Sequence, residues 1–136
     1  MKLLIDTNII LDAMMNREPW AKSAQDVILA IAEDKAEGCI TASSVTDIYY
    51  LLSKHLRDKE QRKQALASLF AIVNVLDVNS ADCEKALDLP MSDYEDALLA
   101  SCGKRHKVDL IITRNKKHYN SSPINAVEPD EVLKSL

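Results

Sequence analysis

Short apolar runs alternate along the chain with segments in which apolar residues recur at helical spacing. The runs predict five strands, at Lys2–Asp6, Cys39–Ala42, Ile72–Val78, Asp109–Thr113 and Ile124–Val127. The spacing predicts helices between the strands, namely Ile9–Met14, Trp20–Ala32, a helix through Val45 and Leu56, one that follows the turn Arg57–Gln61 and ends at Phe70, Ser80–Leu87, Ser92–His106 and a last turn from Pro129. Strands that alternate with helices predict a parallel sheet with helices on both faces.

The composition is that of an ordinary globular protein, and we expect residues 1–136 to form a single domain. Hydrophobic residues make up 47% of the chain and charged residues 28%. The chain has two glycines, which excludes the glycine-rich loops that bind dinucleotides or nucleotide phosphates. Gly38 is expected to end the helix Trp20–Ala32.

The chain lacks the signals of a membrane or exported protein. No apolar run approaches the roughly 18 residues of a transmembrane helix, and the apolar stretch at the N-terminus is too short for a signal peptide. The three cysteines are widely spaced and form no C-x-x-C pair, which argues against a zinc site or a disulfide framework. We therefore expect a cytoplasmic protein that does not contact a membrane.

Charge is distributed unevenly. The formal net charge is −4, yet residues 103–120 carry six lysines and arginines against one acid, Asp109. A basic segment on an acidic protein can contact phosphate groups. On charge alone, however, a solvated surface with cations at helix ends is the better interpretation.

Asp6 stands at the carboxyl end of the first predicted strand, which is where parallel α/β sheets bind their ligands. A helix follows, and Thr7 or Asn8 could cap it without help from Asp6. Capping therefore does not explain Asp6, and a functional role is the better interpretation.

The segment Ser92–Asp96 holds the densest group of acids. Ser92 and Glu95 match a capping box, which gives Glu95 a structural role. Asp93 and Asp96 are three residues apart and share a helix face, although acids also suit a first helical turn electrostatically. Asp96 directly precedes an apolar segment, so its carboxylate should be partly desolvated, which favours a functional role.

Two further polar residues allow either a structural or a functional interpretation. Asp47 follows Ser44 with the spacing of a capping box, and Asn115 follows a strand end where it could simply form a turn. Together with Asp6, Asp93 and Asp96 they supply hard oxygen ligands without histidine or cysteine, as Mg²⁺ or Mn²⁺ prefers. Such ions act on phosphate groups.

Three segments in this order resemble the motifs of PIN domains, and together they span nearly the whole chain. Leu4–Asp12 resembles the opening motif, and Asp93–Ala100 resembles the third acidic motif. Ile111–Tyr119 resembles the fourth, which often has the pattern Thr-Arg-(Asn/Asp)-x-x-(Asp/His)-(Phe/Tyr). Three motifs in order are a specific signal.

The resemblance implies a three-layer α/β/α sandwich around a short, mainly parallel sheet. It also implies a Mg²⁺- or Mn²⁺-dependent ribonuclease that leaves 5′-phosphate and 3′-hydroxyl ends. Such enzymes are often VapC-type toxins of a toxin–antitoxin pair, so the implied partners are an RNA substrate, a cognate antitoxin and a second copy of the chain.

Residue roles follow from the matched positions. The implied catalytic residues are Asp6, Asp47 and Asp96, and the implied metal ligands are Asp6, Asp96 and Asp93. The accessory residues are Asn8, Thr113 and Asn115, and the expected RNA contacts are Arg114, Lys116 and Lys117. Asp47 stands where the family usually has Glu, and Asn115 where many members have Asp, which favours a single metal ion.

Two other functions compete with the nuclease. The departures at Asp47 and Asn115 leave open a PIN-like module that binds RNA or protein without cutting. An aspartyl-phosphate enzyme of the haloacid dehalogenase type also begins with an acid after its first strand. That enzyme needs a general acid two residues later, and Asn8 cannot act as one.

Overall fold

A computed structural model describes residues 1–136 and contains one five-stranded sheet. The strands are β1 (Lys2–Ile5), β2 (Glu37–Thr41), β3 (Asn74–Leu76), β4 (Leu110–Ile112) and β5 (Ala126–Val127). Their order across the sheet is β3-β2-β1-β4-β5, and every neighbouring pair is parallel. The parallel sheet predicted from the sequence is confirmed.

Helices connect the strands and cover both faces of the sheet. They are α1 (Thr7–Met14), α2 (Ala21–Ala32), α3 (Ala42–Leu52), α4 (Lys59–Ile72), α5 (Ser80–Asp88), α6 (Tyr94–Arg105) and α7 (Pro129–Leu133), with a short 3-10 helix at Lys116–Tyr119. None of them has the length and apolar character needed to cross a membrane.

Alternate residues of β1 build two separate cores. Leu3 and Ile5 pack on one face against apolar side chains of α1 to α4 and α7. Leu4 packs on the other face with Leu99 and Cys102 of α6. Leu3, Leu4 and Ile5 have no exposed surface, as expected for a central parallel strand covered on both faces. The molecule is an α/β/α sandwich.

Gly38 does not end α2, contrary to the sequence prediction. The helix ends at Ala32, and the chain reverses through Asp34, whose φ is 60°. Gly38 lies within β2, where an added Cβ would sit 2.6 Å from Cδ1 of Ile31. Glycine is needed here so that α2 can approach the sheet closely.

The two predicted capping boxes are also wrong. Strand β2 runs directly into α3 at Ala42, so Ser44 and Asp47 lie inside the helix and cannot cap it. Asp93, and not Ser92, caps α6, because its Oδ1 accepts a hydrogen bond from the backbone N–H of Asp96 at 3.0 Å. Glu95 therefore does not take part in a capping box.

Several element ends differ from the sequence pattern. Helix α4 continues to Ile72, which shortens β3, and β4 and β5 are also shorter than their apolar runs. Helix α2 begins after Trp20, which is 43% exposed and does not join the buried stripe. Thr7 and Asn8 lie inside α1 and do not precede it.

A buried carboxylate fixes α6 against α5. Asp82 on α5 accepts hydrogen bonds from Nε and Nη2 of Arg105 at 2.8 and 2.9 Å, and it completes a capping box with Asn79. The Arg105 hydrogen bonds hold the pKa of Asp82 below its usual value. This network anchors the helix that carries Asp96.

Candidate active site

A polar cavity of about 450 Å³ opens at the carboxyl ends of the central strands. Five carboxylates reach it from β1, α3 and α6, and they are Asp6, Asp47, Asp93, Glu95 and Asp96. No lysine or arginine lines the cavity. Such a concentration of acid without a cation is electrostatically unfavourable unless a positively charged ligand is bound.

Asp6 is held at the floor of this cavity. It is 8% exposed, and its Oδ2 accepts a hydrogen bond from the Thr113 hydroxyl at 2.8 Å. Asp6, and not Thr7 or Asn8 as the sequence suggested, is the N-cap residue of α1, but its side chain makes no capping hydrogen bond. Burial raises the pKa of Asp6 and the nearby Asp96 raises it further, against the opposing effect of the Thr113 hydrogen bond.

Asp96 is held by two side chains that follow β4. The Tyr119 hydroxyl donates to Oδ1 at 3.1 Å, and Nδ1 of His118 lies 3.2 Å from Oδ2. Desolvation and the neighbouring Asp93 raise the pKa of Asp96, whereas Tyr119 and His118 lower it. Sequence reasoning did not assign these two residues a role, although both belong to the fourth matched motif.

The remaining acids line the cavity from α3 and from the start of α6. Asp93 is exposed and uses Oδ1 as a helix cap. Asp47 on α3 faces Glu95 on α6, and partial desolvation together with Asp47 raises the pKa of Glu95. Glu95 was missed because its position matched a capping box so well.

The predicted accessory residues gather at the same edge. Asn8 and Asn115 line the cavity. Thr113 is fully buried and links the two sides, since its hydroxyl donates to Asp6 and accepts the backbone N–H of Asn115 at 3.0 Å. The Thr113 hydroxyl therefore stabilises a turn at Asn115, which agrees with the structural interpretation of this residue from the sequence.

The cations of the basic segment 103–120 do not line the acidic cavity and do not form one patch. Lys104 and Lys107 border a different cavity beside Asp109 and Asn125, at the amino end of β4. Three other cations form ion pairs: Arg105 with Asp82, Arg114 with Asp12, and Lys116 with Glu131. Lys117 is exposed and makes no ion pair.

The donor set fits a hard divalent cation. No three His, Cys, Asp or Glu side chains are grouped closely enough to hold an ion by themselves. Mg²⁺ does not require such a group, because it is usually bound by one or two carboxylates and keeps several waters. Asp6 and Asp96 supply that pair, and burial together with neighbouring acids raises the pKa of both, a cost that a bound cation would offset.

Known proteins resemble this chain over most of its length. Residues 2–117 match the family described as PIN domain. A curated protein named ribonuclease VapC1, from Aquifex aeolicus (strain VF5), is 28% identical over 127 residues, which are 88% of this chain and 85% of that protein.

Solved structures share the fold at low sequence identity. VapBC2 from Rickettsia felis, bound to a DNA fragment from its promoter, has a TM-score of 0.72 at 20% identity and covers 94% of this chain and 98% of that one. VapC20 from Mycobacterium tuberculosis, a toxin that cleaves the sarcin–ricin loop, has a TM-score of 0.63 at 12% identity and covers 80% and 86%.

Because the pKa of Asp6 is raised, the free energy of unfolding should depend on the charge of this side chain. The folded protein binds a proton at Asp6 more tightly than the unfolded chain does, so the ionised carboxylate lowers stability at neutral pH. Without divalent metal, Asp6→Asn should melt at a higher temperature than wild type at pH 7.5. The difference should close below about pH 4, where Asp6 is protonated in both states.

Thermal melts in EDTA across this pH range measure the effect. Asp88→Asn, at the exposed end of α5, is the matched control and should leave the melting temperature unchanged. An Asp6→Asn protein that melts below wild type at pH 7.5 would show that the carboxylate is not a source of repulsion.

Proposed function

This chain belongs to the PIN domain family, and from this premise we propose that it is a metal-dependent endoribonuclease that hydrolyses RNA phosphodiester bonds. The observation that carries the proposal is the cavity in which five carboxylates meet without a lysine or arginine. The name of the Aquifex relative, a ribonuclease, supports it.

In this proposal Asp6 and Asp96 would hold Mg²⁺ or Mn²⁺. Asp93 would assist through Oδ2, because its Oδ1 already caps α6. A bound ion of this kind lowers the pKa of a coordinated water and neutralises charge on the reacting phosphate. Thr113 keeps Asp6 oriented by donating to its Oδ2, and Tyr119 does the same for Oδ1 of Asp96.

Asp47 lines the cavity from α3, and its carboxylate lies within hydrogen-bonding reach of the Glu95 carboxylate on α6. We assign Asp47 to orienting the attacking water and accepting its proton. Asn8 and Asn115 line the cavity as neutral oxygen ligands. Asn115 stands where many family members have Asp, which favours one metal ion over two.

The RNA approaches over the open rim of the cavity. Tyr50 lines this rim, is 62% exposed, and has Nζ of Lys54 5.1 Å from its ring centre. An exposed ring beside a cation suits an unpaired base and its phosphate. Among the basic residues predicted to contact RNA, Lys117 is exposed and makes no ion pair, whereas Arg114 and Lys116 are paired with acids.

We also propose that the protein is the toxin of a toxin–antitoxin pair and acts in the cytoplasm. An apolar groove of about 420 Å³ lies between α1, α2 and α4, and Leu29 on its border is 55% exposed. A groove between helices suits an amphipathic helix of an antitoxin. Homodimerisation remains a prediction from the family resemblance.

Cleavage of labelled RNA tests the proposed nuclease. We expect wild-type protein to cut in Mg²⁺ or Mn²⁺ and to stop in EDTA. Asp6→Asn and Asp96→Asn should reduce the rate at least about 100-fold, because each removes a charged ligand. The Asp88→Asn control should cut as wild type does.

Two outcomes would contradict the assignment. Cleavage at the wild-type rate by Asp96→Asn would place the reaction elsewhere. Wild-type protein that neither cuts several RNAs nor binds Mn²⁺ in a calorimeter would favour the non-cutting binding module, which the departures at Asp47 and Asn115 keep open.

A charged substitution in the groove tests the antitoxin surface. Leu29→Glu should weaken binding of the purified cognate antitoxin at least about tenfold, because it places a charge in an apolar contact. RNA cleavage should be retained, since Leu29 is remote from the carboxylates. Leu87→Glu, on the 74% exposed side chain of α5, is the control, and equal loss in both variants would argue against the groove.

A further inference from the structure

A buried ion pair outside the cavity involves a residue that the sequence assigned to RNA binding. Asp12 on α1 has no exposed surface. Its carboxylate accepts two hydrogen bonds from Arg114, from Nε at 2.7 Å and from Nη2 at 3.2 Å. Nε of Arg17 lies 3.2 Å from the same carboxylate.

Trp20 covers the other side of this ion pair. The Cζ atom of Arg114 lies 3.9 Å from the centre of the Trp20 ring. Arg114 is therefore clamped between a carboxylate and an aromatic face, and its side chain is only 21% exposed. A guanidinium held in this way has little of its donor surface left for a phosphate.

The ion pair lies next to the contact that holds Asp6. Arg114 directly follows Thr113, whose hydroxyl donates to Asp6, and Asp12 belongs to the helix that begins immediately after Asp6. The turn after β4 is thus tied to α1 at two adjacent points. Moving Arg114 away from Asp12 would release the peptide that carries Thr113.

We propose that Asp12, Arg114 and Trp20 form a latch that positions Thr113, and through it Asp6, for metal binding. Arg114 is then a positioning residue, which replaces the RNA contact expected from the sequence. This inference rests on the proposed nuclease function, because it describes how that site is kept in order.

Replacing Arg114 by lysine separates the two roles. Lysine keeps the positive charge, but it cannot make the two-point contact with Asp12 or stack on Trp20. A phosphate contact would largely survive this change, whereas the latch would not. Lys117→Ala provides the matched case of a cation whose only assigned role is to contact RNA.

The experiment measures kcat, KM and the salt dependence of cleavage, together with Mn²⁺ affinity by calorimetry. For Arg114→Lys we expect kcat and Mn²⁺ affinity to fall by about tenfold or more, with KM and the salt slope unchanged. For Lys117→Ala we expect KM to rise and the salt slope to fall by about one, with kcat and Mn²⁺ affinity unchanged.

Trp20 reports on the latch independently of metal and RNA, because it is the single tryptophan of the chain. Its fluorescence should become easier to quench with acrylamide in Arg114→Lys. Trp20→Ala, which alters an exposed side chain and so should leave the fold intact, is expected to lower Mn²⁺ affinity in the same direction.

Distinct results would overturn the latch and the proposed function. A higher KM and a weaker salt slope in Arg114→Lys, with unchanged kcat and Mn²⁺ affinity, would make Arg114 an RNA contact. If the wild type binds Mn²⁺ and cuts RNA, Arg114→Lys matches it in kcat, Mn²⁺ affinity and fluorescence quenching, and Trp20→Ala matches it in Mn²⁺ affinity, the latch is wrong but the nuclease function stands. A wild type that neither binds Mn²⁺ nor cuts RNA would overturn the proposed function itself.

Discussion

The repulsion between desolvated carboxylates at one edge of the sheet is the constraint on which the rest of the site depends. Asp6 and Asp96 both have raised pKa values because burial removes water from them and acidic neighbours surround them. The fold orients these carboxylates with a few side-chain contacts, since Thr113 donates to Asp6 and both Tyr119 and His118 contact Asp96. No lysine or arginine lines the cavity, so most of the carboxylate charge is available to a cation.

The strand order explains why these residues meet. β1 is central and lies between β2 and β4, so the chain segments that leave the three strands emerge side by side. Asp6 follows β1, and Thr113 and Asn115 follow β4. Helix α3 leaves β2 and brings Asp47 to the same edge, while the Asp82–Arg105 network and Tyr119 keep α6 in place. The topology therefore assembles the cavity from segments far apart in sequence.

The sequence predicted the order of the elements and the position of Asp6 at the end of β1, because strand periodicity and an acid at a strand end are local signals. It failed where one local pattern has two structural explanations. Ser44–Asp47 and Ser92–Glu95 match capping boxes, yet the helices begin elsewhere, and Glu95 was lost from the site for that reason. The pairing of Arg114 with Asp12 joins residues far apart in the chain, and no local pattern contains it.

The central claim is that Asp6 and Asp96 together hold a divalent cation. Anomalous diffraction from crystals grown with Mn²⁺ tests it most directly, because the signal locates the ion without reference to activity. We expect an anomalous peak within about 2.0–2.4 Å of oxygens from both carboxylates, with waters in the remaining positions. A peak that contacts neither Asp6 nor Asp96, or no peak in crystals of protein shown to bind Mn²⁺ in solution, would contradict it.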